Sequence, residues 1–180
     1  MTKDTVIEQT KKWIKSVVID MNFCPFAAKA FLKKSIRYTV LTKTDLKHTL
    51  EILVKEIQHL NDNEDVETTF IIFSRAFIDY ENYLDMLEIS QELLNQEGYE
   101  GIYQLASFHP DYYFEGTDYN DPANYTNRSI YPMLHLLRED SISKALTLYK
   151  NSELIPQHNI ELARKKGLAY MKMLREACFN

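Results

Sequence analysis

The sequence predicts an α/β protein with a small parallel or mixed sheet of three or more strands and helices packed around it. Three short runs rich in β-branched and aromatic residues alternate with amphipathic helical stripes, an order typical of right-handed crossover connections. The 180 residues are 45% apolar, so the chain is long enough for one well-formed core and short for two. We therefore expect one domain over residues 1–180, with helical segments at both ends.

The N-terminal segment predicts two helices. Apolar residues from Val6 to Met21 recur at three- and four-residue steps, which indicates a first helix over residues 3–21. Asn22 is expected to end it, and Pro25 suits the first turn of a short second helix that runs to Lys33. Cys24 would then lie near a helix N-terminus.

The central part of the chain predicts three strands separated by two long helices. The strands are residues 36–41, 68–74 and 102–108. Thr44 is a suitable N-cap for the first of these helices, whereas Asp79 can cap the second and Gly98 can end it.

The C-terminal part predicts three further helices. Ser129 is a candidate N-cap for a helix that carries Met133, Leu134 and Leu137. A second helix is expected over residues 141–149, and a last one over about residues 156–178.

The connection between the third strand and the next predicted helix is the candidate functional segment. Residues 108–129 show neither helical period nor strand alternation, and such long connections in a compact domain are usually functional or disordered. Disordered segments are poor in aromatic residues, whereas this one contains four tyrosines and two phenylalanines. We therefore predict an ordered active or binding loop.

Composition excludes some classes of partner and location. The net charge of −5 comes with interspersed signs, which predicts no nucleic-acid partner. The charged N-terminus and the absence of a long apolar run predict a soluble, cytoplasmic protein with no membrane partner. Two cysteines far apart in sequence are expected to be free thiols there. Exposed sheet edges would be compatible with a homodimer.

Three residues are candidates for catalysis. His109 directly follows the third strand, where open parallel sheets bind ligands, so it is a candidate acid or base, or else it caps a loop carbonyl. Asp111 is a candidate base or hard-metal ligand. Cys24 is a candidate nucleophile or ligand if a helix N-terminus lowers its pKa, or else a small core residue between aromatic neighbours.

The segment Asn124 to Arg128 is the candidate substrate-binding segment. Arg128 is the only cation of the loop, and it could clamp a carboxylate or phosphate in two-pronged fashion or neutralise its acidic neighbours. Asn124 and Asn127 offer amide donors, and Tyr125 and Thr126 lie between them.

A metal-dependent variant of the site uses Cys24, His109 and His135 as ligands for a transition metal, zinc or iron. In the predicted helix, His135 lies one turn before Glu139, which could orient its ring as a supporting carboxylate. The alternative is an exposed pair of the two side chains on the helix surface.

Several motifs resemble a bacterial family catalogued as domain of unknown function 1415. These motifs are NFCPFA, SFHPDYYF, NYTNRS and YPMLHLLRE, followed by Ile155-Pro156 and Asn159-Ile160. The resemblance covers nearly the whole chain and implies no reaction. It implies that the motif positions are Cys24, His109, Asp111, Asn124, Thr126, Asn127, Arg128, His135 and Glu139. The chain departs from the family pattern at Ile130, where proline is common, and at His158, where arginine is common.

The sequence therefore predicts an enzyme acting on a small polar or anionic metabolite, at a site formed by residues 107–139. The alternative is a non-catalytic domain that binds a ligand or a partner protein. The chain has no glycine-rich phosphate loop, no HExxH and no paired CxxC motif, so motifs alone do not choose between these hypotheses.

Overall fold

The computed structural model describes residues 1–147, 149 and 151–180 and contains one sheet of four strands in the order β1-β2-β4-β3. Strands β1 and β2 are parallel, and β4 lies between β2 and β3, antiparallel to both. The predicted α/β class is confirmed, with a mixed sheet. The strands are β1 Ile36–Leu41, β2 Thr68–Phe73, β3 Tyr103–Phe108 and β4 Met133–Arg138.

Helices cover both faces of the sheet and form both ends of the described chain. The α-helices are α1 Lys3–Trp13, α2 Ala27–Leu32, α3 Leu46–Asp62, α4 Tyr80–Gln96, α5 Glu139–Thr147, α6 Ile155–Lys166 and α7 Leu168–Glu176. A π-helix, Ile14–Ile19, continues α1, and 3₁₀ turns occur at Pro122–Thr126, Ser152–Leu154 and Ala177–Phe179.

The helix predicted after Ser129 is wrong, because residues 133–138 form strand β4. The Ser129 hydroxyl does not cap a helix; it donates to the carbonyl oxygen of Tyr131. Met133 packs in the core on one face of the sheet and Leu134 in the core on the other. Because both faces of β4 are covered, its sequence lacks the alternation that identifies a half-exposed strand.

Several helix boundaries differ from the prediction; α2, for example, begins at Ala27, so Pro25 lies before its first turn. The N-cap of α3 is Asp45, whose carboxylate accepts from the backbone N–H of His48, so Thr44 does not have this role. The predicted C-terminal helix divides into α6 and α7 at Gly167, whose φ of 85° is accessible mainly to glycine. The helix predicted over 141–149 begins at Glu139 and is described to Thr147; residues 148 and 150 lie outside the described part.

Two hydrophobic cores lie on opposite faces of the sheet. Trp13, Phe70 and Met171 belong to the core under α1, the π-helix, α6 and α7. Leu53 and Met86 belong to the core under α3 and α4. Strands β1, β2 and β3 run in the same direction, so their carboxyl ends meet at one edge of the sheet. The segment 109–132, here called the site loop, begins at this edge. None of the described helices is long and apolar enough to cross a membrane.

Candidate functional site

The site loop is ordered by an amide at its centre. Asn124 is fully buried, and its Oδ1 accepts from the backbone N–H of Phe114 at 3.1 Å and from the hydroxyl of Thr117 at 3.2 Å. Its Nδ2 donates to the carbonyl oxygens of Asp118 and Tyr119 at 3.0 and 3.1 Å. These four contacts use the hydrogen-bonding capacity of the amide on the loop itself.

The N-terminal helix fixes the end of the loop. Trp13 is fully buried, packs edge-on against Phe108 at 5.1 Å between ring centroids, and donates from Nε1 to the carbonyl oxygen of Arg128 at 3.2 Å. The carboxylate of Asp121 caps the 3₁₀ turn and pairs with Arg164 of α6 at 2.7 Å. The loop is therefore attached to helices from both ends of the chain.

Arg128 lies inside the loop and is only 2% exposed. Its Nε and Nη2 atoms donate to the carbonyl oxygens of Tyr112 and Tyr119 at 2.7 and 2.8 Å. The guanidinium carbon lies 4.3 Å from the ring centroid of Tyr119 and 5.0 Å from that of Tyr125, in cation–π geometry. In the described part of the chain Nη1 makes no hydrogen bond, so this nitrogen remains available to a ligand.

A second arginine, Arg175 of α7, reaches the same place. Its Nε donates to the carbonyl oxygen of Ser129 at 2.9 Å. Burial lowers the pKa of the Arg175 guanidinium, the nearby groups Tyr125 and Asp111 oppose this shift, and the charge of Arg128 adds to it. Arg128 and Arg175, here called the arginine pair, both donate to backbone carbonyls of the site loop, and the charge of Arg128 acts on the pKa of Arg175.

The arginine pair forms no direct ion pair with a carboxylate among the described residues. The ion pairs found there involve other side chains, such as Arg37 with Glu56 at 2.6 Å. Two shielded cations side by side are unfavourable unless a counter-charge compensates them. The local arrangement is therefore suited to an anion.

The helices on the face that carries α7 have a net charge of the same sign as the pair. Residues 1–35 and 151–180, which form the helices on the face that carries α7, contain twelve lysines and arginines and six acidic residues. Residues 43–100, which include α3 and α4, contain four and fourteen respectively. The helices on the α7 side therefore carry a net positive charge that favours anions, whereas the site loop itself contains four acidic residues and one arginine.

Asp111 is a carboxylate whose charge acts on Arg175. It does not form an ion pair with either arginine. Its Oδ1 accepts from the hydroxyl of Tyr119 at 2.8 Å. Its charge acts on the pKa values of both Arg175 and His109. Because Oδ2 forms no hydrogen bond within the described residues, this atom is available for proton transfer.

His109 is fully buried at the carboxyl end of β3, and both of its ring nitrogens are engaged. Nε2 lies 3.0 Å from the carbonyl oxygen of Phe77, to which it donates, and Nδ1 accepts from the backbone N–H of Asp111 at 3.0 Å. Burial lowers the pKa of the imidazole, while the Phe77 carbonyl and the charge of Asp111 oppose this shift. The ring is therefore neutral, and it joins the loop after β2 to the site loop.

Of the other residues of the predicted binding segment, Thr126 and Asn127 contact the loop itself, whereas Tyr125 lies beside the arginine pair. Thr126 donates from Oγ1 to the carbonyl oxygen of Ala123 at 2.9 Å, a contact within the 3₁₀ turn. Asn127 contacts the Thr126 hydroxyl through Oδ1 at 3.1 Å, and its Nδ2 has no partner in the described residues. Tyr125 is 3% exposed and lies beside both members of the arginine pair.

His135 and Glu139 are not the helical pair that the sequence predicted. His135 lies in β4 and stacks on Phe70 with ring centroids 3.8 Å apart and planes 10° apart, and its Nε2 is 2.7 Å from the hydroxyl of Thr68. Burial lowers the pKa of His135 to about 3. Glu139 begins α5, so the two residues do not share a helix.

Cys24 lies in the segment before α2 and is partly buried. Burial raises the pKa of its thiol, and the backbone N–H groups of Phe26 and Ala27 only oppose this shift. A raised pKa decreases the thiolate fraction that a nucleophile or a metal ligand requires. The helix that follows, α2, has only six residues.

The described residues contain no group of three His, Cys, Asp or Glu side chains placed to hold a metal ion. The predicted ligand set of Cys24, His109 and His135 is therefore not brought together. His135 faces the core that contains Phe70, whereas His109 packs against Tyr80 and Tyr83 of α4, so the two histidines lie on opposite faces of the sheet.

Arg175 and Tyr119 were not predicted as site residues from the sequence. Tyr119 stacks on one guanidinium and orients Asp111, but its position in an irregular loop gave no periodic signal. Arg175 does have such a signal, because it follows Met171 by four residues and Leu174 by one on the apolar stripe of the last helix. A cation at a position that faces inward requires a partner, and this position therefore indicates a site.

Comparison with known proteins identifies one relationship. The family model described as Protein of unknown function (DUF1415) matches residues 5–173, and the chain belongs to this family. No curated protein and no solved structure matches the chain.

Proposed function

We propose that this member of the DUF1415 family is a cytoplasmic enzyme that binds a small anionic metabolite, a carboxylate or a phosphate, between the site loop and α7. The arginine pair binds the anion, and Asp111 is the acid–base group. The single observation that supports this proposal is the presence of two buried or partly buried guanidinium groups that form no direct ion pair with a carboxylate in the described residues.

In this proposal each group has one task. Nη1 of Arg128 and the terminal nitrogens of Arg175 donate to the anion, which compensates the repulsion between the two cations. Nδ2 of Asn127, which has no partner in the described residues, supplies a neutral donor. The Tyr119 hydroxyl holds Oδ1 of Asp111, which leaves Oδ2 to take or give a proton.

In this proposal His109 is a positioning residue. Its two hydrogen bonds hold the backbone of Asp111 and the carbonyl of Phe77, so neither nitrogen is free to transfer a proton to a ligand. Cys24 has no part in the step, because burial raises its pKa. The two free cysteines are compatible with a reducing compartment such as the cytoplasm.

A non-catalytic ligand-binding domain is the second candidate, favoured by the fact that His109 has no free ring nitrogen. The two candidates share the arginine pair and differ only in the role of Asp111. Asp111→Asn keeps the size and the acceptor for Tyr119, so it should leave anion binding within about twofold of wild type and abolish any turnover. Turnover that survives in this variant would contradict the assignment of Asp111.

The test of the shared claim is calorimetric titration of inorganic phosphate and succinate into wild type and Arg175→Gln. We expect Arg175→Gln to weaken binding at least about tenfold, because a hydrogen bond to a charged group contributes roughly 1.5–3 kcal/mol. Arg175→Lys should recover part of the loss by restoring the charge without the planar fork.

Arg138→Gln is the matched control. Arg138 also lies beside a tyrosine ring and donates to backbone carbonyls, among them those of Asn63 and Val66 at 3.2 and 3.1 Å. Its loss should lower stability without changing anion affinity. Equal losses of affinity in Arg138→Gln and Arg175→Gln, or no binding of either anion by wild type, would refute the proposal.

A further inference from the structure

We infer that the anion bound by the arginine pair carries an aromatic or similarly planar group, which stacks on the exposed ring of Tyr113 beside Tyr119. This inference rests on the proposed function, since it names the class of ligand for the same site. It is carried by the arrangement and exposure of the tyrosines that lead to Arg128.

Three tyrosine rings form a continuous row that ends at the anion site. The ring centroids of Tyr80 and Tyr113 are 5.3 Å apart, and those of Tyr113 and Tyr119 are 6.4 Å apart. The Arg128 guanidinium lies 4.3 Å from the centroid of Tyr119. A planar group attached to the bound anion would therefore meet the aromatic surface of Tyr113, which lies next to the ring of Tyr119.

The tyrosine rings on the two sides of the Arg128 guanidinium differ in their exposure to solvent. Tyr125 is 3% exposed, whereas Tyr119 is 49% exposed and Tyr113 is 40% exposed. The side of Tyr125 is closed by packing, and the side of the row is open. Aromatic rings recover hydrophobic and stacking free energy when a second ring covers them, and tyrosine loses little side-chain entropy when it becomes ordered by a ligand.

Binding of a small anion alone would give Tyr113 no role. Tyr119 is accounted for by its ring on Arg128 and its hydroxyl on Asp111. The Tyr113 hydroxyl makes no hydrogen bond within the described residues, and its ring contacts only the rings of Tyr80 and Tyr119 among the aromatic side chains there. A small inorganic anion would need the arginine pair and would leave Tyr113 unused.

The experiment compares methyl phosphate with phenyl phosphate, which share the dianionic head and differ in the planar group. Calorimetric titration of wild type should give about three- to tenfold tighter binding of phenyl phosphate, the range that one stacked aromatic pair contributes. Tyr113→Leu keeps an apolar side chain and removes the ring, so it should reduce the advantage below about twofold while leaving methyl phosphate unaffected.

Tyr149→Leu is the matched control, because Tyr149 is similarly exposed at 43% and packs on Phe26, outside the site loop. It should retain the full advantage of phenyl phosphate. Equal binding of the two phosphates by wild type, or an advantage that persists in Tyr113→Leu, would overturn the inference and leave the anion site intact. If neither phosphate bound wild type, the proposed function would fail together with the inference.

Discussion

Replacing His135 with phenylalanine should remove a specific part of the acid sensitivity of the fold. The imidazole stacks on Phe70 at 3.8 Å and lies 2.7 Å from the Thr68 hydroxyl. Thr68 donates to the carbonyl oxygen of Leu136, so its oxygen accepts from Nε2–H and the neutral ring satisfies the contact. Phenylalanine keeps the stacked ring and cannot take up a proton.

The magnitude follows from the shifted pKa. Burial lowers the pKa of His135 from 6.5 to about 3, so below pH 6.5 the unfolded chain binds a proton that the folded chain does not. The contribution is fully present above about pH 6.5 and is lost as the pH falls towards 3. At pH 4.5, two units below the unfolded value, about 1.4 kcal/mol per unit gives a loss of about 3 kcal/mol as an upper bound.

Urea unfolding of wild type and His135→Phe at pH 7.5 and 4.5 measures this contribution. Carboxylates that titrate in the same range affect both proteins, and the difference between the two proteins removes them. Wild type should lose about 2–3 kcal/mol more than the variant between these two pH values. If both proteins lost the same free energy of unfolding, the neutral state of His135 in the fold would be refuted.

Three further predictions concern other parts of the fold. Lys34 is exposed with a φ of 55° at the end of α2, so Lys34→Gly should raise the free energy of unfolding by up to about 1 kcal/mol, and an unchanged or lower thermal midpoint would contradict this. Trp13→Phe removes the buried donor to Arg128 and leaves a void, so chemical denaturation should give a loss of about 2 kcal/mol; a loss under about 0.5 kcal/mol would show that the anchor is unimportant. Cys24, with its raised pKa, should react with iodoacetamide at pH 8 more slowly in the native state than in urea, and mass spectrometry showing equal rates would disprove its burial.

The elements with a clear period were predictable from sequence. Strand β1 occupies the predicted residues Ile36–Leu41, and α4 begins after the predicted N-cap Asp79, whose carboxylate accepts from the backbone N–H of Asn82. In both cases local sequence determines the outcome, because β-branched residues favour strands and a short polar side chain satisfies the first N–H groups of a helix.

Strand β4 was not predictable in the same way. Its residues Met133, Leu134 and Leu136 are apolar on both faces, a pattern that also fits two turns of a buried helix. The strand state is decided by pairing with β2 and β3, which are distant in sequence. The error placed His135 and Glu139 on one helix, and Glu139 was therefore wrongly expected to support the His135 ring from the next turn.

The candidate site was predictable only in part. The long aromatic loop and Arg128 were identified from composition and spacing, and Arg128 was expected to bind an anion or to pair with acidic neighbours. Arg175 reaches the loop only after α7 has packed on the sheet, and its contact with the carbonyl oxygen of Ser129 depends on this packing. The hydrogen bonds of His109 were equally unpredictable from the sequence, because Phe77 approaches the ring from the loop after β2.

The most direct test of the central claim is to locate an anion by crystallography. Crystals grown without phosphate or sulfate and soaked in selenate would show a bound anion by its anomalous scattering. We expect a peak within hydrogen-bond distance of the terminal nitrogens of both Arg128 and Arg175, lost in crystals of Arg175→Gln and retained in crystals of Arg138→Gln. Selenate found only at surface lysines, with none between the two guanidinium groups, would contradict it.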